Sequence, residues 1–135
     1  FIETVRSQYE HAHNKNDLAL TEQIVAELYP EYSEAFCKVM GRTKLHIFNM
    51  FIMKKEKFDE YCQWLFTILF ELEKRIDISS YSQYEARVFG FLSERLLNVW
   101  LEKQKLKVKG IDVVFLEKID WFDKGMKFLK RKFRG

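Results

Sequence analysis

The chain has 135 residues, 47% of them apolar and 16% aromatic, with 13 Phe. That is enough to bury a core and too rich in large side chains for a disordered segment. One Pro and five Gly exclude a linker or a low-complexity tract. The net charge is +3, but residues 119–135 carry +4 and the remaining 118 sum to −1, so the basic footprint of a nucleic-acid binder is missing from most of the chain.

Residues 1–13 have helical spacing at Ile2, Val5 and Tyr9. Asn16 or Asp17 is placed to cap a second helix over residues 18–28. Pro30 suits the first turn of a third, which carries Tyr32, Phe36 and Val39 inward and closes at Gly41. Residues 44–54, KLHIFNMFIMK, are apolar on both alternating faces and read as a strand buried on both sides. Asn49 at its centre has poor strand propensity, so it either anchors a neighbouring loop or touches a ligand.

A long helix follows over residues 56–76, with Phe58, Tyr61, Cys62, Leu65, Leu69 and Leu72 on its core stripe. Ser82 and Glu85 form a capping-box pattern ahead of residues 84–103, the stretch around which the rest is organised. Val88, Leu92, Leu96, Val99 and Trp100 share one wide face; Phe91, Leu97 and Leu101 lie opposite. A helix apolar on two sides is buried on two sides. Arg87, Glu94 and Asn98 nevertheless form a polar stripe in the second face, with Gly90 between the first two. Buried polar groups are paired or face a cavity. The stripe is therefore either a structural network, with Arg87 paired to Glu94 and Asn98 bonded to backbone, or the wall of a site. Residues 111–116 read as a short strand. Residues 119–135 place Phe122, Met126, Leu129 and Phe133 on one stripe among six Lys/Arg, the pattern of a helix lying in an anionic membrane interface.

Cys37 and Cys62 fall in helical patterns and read as buried reduced thiols, which fits a cytoplasmic setting. No uncharged run reaches 18 residues, and the start at Phe1, inside an apolar pattern, suggests a piece of a longer protein. Glycine-rich phosphate loops, paired CxxC, GxSxG, HExxH and Asp-x-Asp motifs are all missing, so no metal site is assigned. His13 and Asp17 lie close in sequence, but residues 14–16 break the helix between them.

The stretches HAHNKNDL, FNMFIMKKEKFDEYCQWLF, ILFELEKRIDIS and ARVFGFLSERLLNVWL, in that order, resemble the C-terminal half of a bacterial glycosyltransferase family catalogued as a domain of unknown function. That family is common in capsular-polysaccharide and lipopolysaccharide clusters. The resemblance covers residues 9–116 and implies an α/β class: a helix-rich fragment, the C-terminal part of a GT-A-like fold with few strands. Residues 1–118 would be the transferase-like domain and residues 119–135 a basic amphipathic helix. The resemblance implies a nucleotide-sugar donor and a lipid-linked glycan acceptor; residues 119–135 would hold the inner face of the cytoplasmic membrane, and nucleic acid is not expected because the basic residues are confined to one end. It also implies that this fragment alone is inactive.

Transfer to a hydroxyl needs a base in an inverting enzyme and charge stabilisation at the departing diphosphate. Glu94 is the candidate base. Arg87 and Arg95 are candidates for the diphosphate or for orienting Glu94, with Asn49 and Asn98 toward sugar hydroxyls and His13 and Asp17 at the cleft rim. The alternative function is a non-catalytic helical binding module peripheral to the membrane.

Overall fold

In a computed structural model of the chain, the described residues are 3–114. They form five α-helices: α1 (Val5–Ala12), α2 (Lys15–Leu28), α3 (Ser33–Met40), α4 (Lys55–Arg75) and α5 (Val88–Gln104). Two 3-10 turns, Pro30–Tyr32 and Glu85–Arg87, lead into α3 and α5.

Each start has a local cause. Thr4 and Ser7 exchange side-chain and backbone hydrogen bonds in a capping box that opens α1. Asn14, not Asn16 or Asp17, caps α2, its Oδ1 accepting the Asn16 N–H at 3.0 Å. Asp17 sits inside the first turn instead. Pro30 opens a 3-10 turn before α3, and Gly41 ends α3 without a left-handed conformation, at φ −80°. The Ser82–Glu85 pair forms the reciprocal bonds of a capping box, with the Ser82 N–H to Glu85 Oε2 at 2.8 Å, but it lies in the turn ahead of the 3-10 turn, and α5 begins only at Val88.

The core lies where α5 packs on α3 and α4 and where α2 packs on α4 and α1. Leu92, Leu96 and Val99 of α5 are fully buried, and so is Leu97 on the opposite side, which accords with its two apolar faces. On α4 the interior is Tyr61, Trp64, Leu65, Ile68 and Leu72, whereas Phe58 is exposed. Arg75 reaches from α4 to Glu27 on α2 at 2.7 Å. Cys37 is exposed and Cys62 half-buried, both free thiols.

The strand expected over residues 44–54 is not formed, and no strand exists among the described residues. A strand needs a partner ladder. Here Phe48 (φ 76°) and Asn49 (φ 50°) turn the chain through the left-handed region, and α5 side chains take the backbone groups that a ladder would use. Residues 111–114 are irregular, and the rest of the strand expected over 111–116 lies outside the described residues, as does the helix expected over 119–135. The described residues are thus helix-rich and do not show the expected α/β class. No helix among them is long and apolar enough to cross a membrane.

Candidate functional site

The polar stripe of α5 is a rack for the 45–53 loop. Asn98, 4% exposed, accepts the His46 N–H through Oδ1 at 2.9 Å and donates through Nδ2 to the His46 carbonyl at 2.8 Å. One turn earlier, Glu94 Oε1 accepts the Phe48 N–H at 3.2 Å. One turn earlier again, the Gly90 carbonyl accepts from Asn49 Nδ2 at 3.3 Å. A Cβ at Gly90 would meet nothing within 4 Å, so the approach there is of an amide to a carbonyl and not of packed backbones. The 90, 94, 98 register is the i, i+4 spacing of one helix face.

The pairing expected between Arg87 and Glu94 is not made. Glu94 Oε2 faces Arg95 Nη1 at 3.3 Å. Arg95 is 5% exposed; it donates to the Phe91 carbonyl at 2.8 Å and to Gln8 Oε1 at 2.7 Å, and lies 5.0 Å over the Tyr9 ring. Burial pushes its guanidinium below the usual range, opposed by the Glu94 carboxylate. Burial likewise raises the Tyr9 phenol, reinforced by the Asp17 charge.

Arg87, His13 and Asp17 belong to a second cluster around Phe91. The His13 ring is 4.1 Å from Phe91 and 4.7 Å from Tyr9, with Tyr84 stacked at 5.8 Å. Arg87 lies exposed, 5.4 Å over the Phe91 ring, and makes no ion pair among the described residues. Asp17 is buried and accepts the Tyr81 hydroxyl at 2.6 Å, while Asn14 Nδ2 donates to that hydroxyl at 3.0 Å. Burial raises the Asp17 carboxyl, partly offset by the bond from Tyr81. Burial and the Asp17 carboxylate push Tyr81 up to about 12. Sequence reasoning passed over Tyr81, Tyr84 and Phe91 as site neighbours. Tyr81 and Tyr84 stand in a turn with no periodicity to place them.

A groove of about 360 Å³ runs between the C-terminal ends of α3 and α5 and is lined by Lys38, Arg42, His46, Asn98, Glu102 and Lys105 among others. Glu102 pairs with both Lys38 and Arg42, and these bonds hold its carboxyl below the usual range. The lysines and arginine there also offset the negative ends of two helices. No three His, Cys, Asp or Glu side chains among the described residues are grouped to hold a metal ion.

The family model of DUF4422, a domain of unknown function, matches residues 1–105. The chain belongs to the DUF4422 family. The match takes in both clusters, from His13 just after α1 to Asn98 on α5. No curated protein matches this DUF4422 chain. Among solved structures it is similar to the apo structure of the bifunctional glycosyltransferase WbbM, with a TM-score of 0.73 and 35% identity over 79% of this chain. The DUF4422 chain spans 20% of that protein's chain. At that identity the relation is to a glycosyltransferase in sequence as well as in fold.

Proposed function

We propose that this domain serves a glycosyltransferase that moves a sugar from a nucleotide-sugar donor to a lipid-linked saccharide acceptor in capsular, exopolysaccharide or lipopolysaccharide synthesis. The observation that carries this reading is the 35% identity to a bifunctional glycosyltransferase, held over 79% of this chain with a TM-score of 0.73. In this reading Glu94 is the base toward the acceptor hydroxyl. Its carboxylate is held in place by the Phe48 N–H and by Arg95. Arg87, exposed on Phe91, is the cation for the departing diphosphate. Arg95 orients Glu94. Asn49 and Asn98 set the loop beside the base, and His13 and Asp17 with Tyr81 form the rim.

The test is Glu94→Gln in the longest natural polypeptide that carries these residues, assayed with a panel of nucleotide sugars. Gln keeps a carbonyl oxygen for the Phe48 N–H, so the expected outcome is loss of transfer with a nearly unchanged melting temperature. Retained transfer would leave Glu94 as a loop clamp only. Loss of both activity and folding would mark a structural role, because Arg95 would be left buried and unpaired.

A second reading is a non-catalytic helical module that holds a surface. One observation favours it: Glu94, Asn98 and Asn49 are each already bonded to partners within the loop and α5.

A further inference from the structure

The 45–53 loop shows large apolar side chains to water while being held in a defined shape. Ile52 is 96% exposed and Met50 67%, with Ile47 and Phe48 about half exposed beside them. A free loop of this composition would fold its side chains back onto the core. This one is pinned at His46, Phe48 and Asn49 by three successive turns of α5. Its turn puts an aromatic residue, Phe48, at φ 76°, a conformation that side chains with a Cβ rarely adopt. Beyond it, Phe51 turns toward Tyr61 and Phe58 at 5.5 and 6.2 Å, while Met50 and Ile52 remain outside. An apolar patch kept outward by a strained and anchored backbone is a presented surface.

The charge around the patch identifies its partner. Lys44 precedes the loop and Lys54 follows it; both are exposed and neither makes an ion pair among the described residues. Lys55 and Lys57 come next but are engaged by Asp59 and Glu60. Lys107 and Lys109 are exposed on the segment after α5, whose Val108 lines the same groove as His46. An apolar tip bordered by unpaired cations is complementary to an anionic lipid surface, with acyl chains below and phosphate above. Phe66 and Phe70, an exposed apolar pair on α4, are flanked by Gln63 and Glu73 and lack that border.

We propose that the 45–53 loop is a lipid-interface anchor. Ile47, Met50 and Ile52 enter the boundary between headgroups and acyl chains of an anionic bilayer, and Lys44 and Lys54 meet the headgroup phosphates. The anchor is independent of the transferase reading, since it is measured without donor or acceptor.

The test is co-sedimentation of the full chain with vesicles of phosphatidylcholine alone or mixed with phosphatidylglycerol. The wild type is expected to sediment with the mixed vesicles only, and less so at high salt. The Met50→Asp, Ile52→Asp double variant should bind about tenfold or more weakly at an unchanged melting temperature, because both side chains are exposed. Lys44→Gln and Lys54→Gln should each cost about fivefold on anionic vesicles. Phe66→Asp should bind as wild type. An environment-sensitive fluorophore on Ile52→Cys, in a Cys37→Ser, Cys62→Ala background, should shift to the blue with mixed vesicles.

Wild-type affinity in the double variant, or an unmoved fluorophore, would overturn the proposal in favour of binding through some other segment. An equal loss in Phe66→Asp would overturn it in favour of non-specific apolar adhesion. A wild type that binds no vesicle would also overturn it, and a loop variant that alters only self-association would assign the patch to protein contact.

Discussion

Asn98 uses its amide on three backbone groups: the His46 N–H, the His46 carbonyl and the Glu94 carbonyl. An amide both accepts and donates in this fork, which neither an Asp nor a Leu side chain can do. Asn98→Ala strips buried partners from the His46 peptide and is expected to lower stability by about 2–3 kcal/mol in urea denaturation. Asp17 shows the reverse economy. Its carboxyl is raised by burial, so the native state holds its proton more tightly than the unfolded chain. The native form then binds more protons between the ordinary carboxylate pKa and the raised native one, and stability from this group falls as pH climbs through that window. Asp17→Asn removes the titration. Its stability relative to wild type should rise from pH 4 toward neutrality, and denaturation at a series of pH values checks the sign. The carboxyls of Glu27, Glu71 and Glu102, lowered by their bonded partners, contribute in the opposite direction in both proteins. They therefore cancel in the difference.

α5 was readable as a doubly buried helix because its apolar residues repeat on two faces, and burial depends on that repeat alone. The partners of its polar stripe were not readable. Arg87 and Glu94 are seven residues apart on one face, yet Glu94 turns to the adjacent Arg95, which packing on Tyr9 and Gln8 draws inward. Residues 44–54 misled for a related reason. Period-two alternation is a property of extended chain, with or without a neighbouring strand to pair with. The segment is apolar on alternate residues, but it turns at Phe48 and Asn49 and α5 side chains hold it in place of a ladder. The end of α5 carries a second local conflict: Lys105 sits at φ 50°, ψ 37°, where glycine is the usual residue. Lys105→Gly is expected to raise stability by about 0.5–1 kcal/mol, read as a higher melting temperature.

Across the whole molecule, protection should follow this division between packed helices and held loop. Native-state hydrogen exchange is expected to be slowest in α5 and along the buried face of α2 at Leu18, Ile24 and Val25. Within the loop, the His46 and Phe48 amides, bonded to Asn98 and Glu94, should exchange well slower than those of Met50 to Met53. Uniformly fast exchange from 45 to 53 would mean that the rack does not hold. The sequence by itself determined the helices of α1, α2, α3, α4 and α5, the capping box at Ser82, the two-sided burial of α5 and the transferase resemblance, because periodicity, caps and motif order are local quantities. Only the tertiary structure decided what the polar stripe binds, that His13 and Arg87 each pack on the Phe91 ring, and that Met50 and Ile52 face outward. Those facts depend on which residues far apart in the chain come within hydrogen-bond or van der Waals reach, and one-dimensional spacing carries no record of that distance.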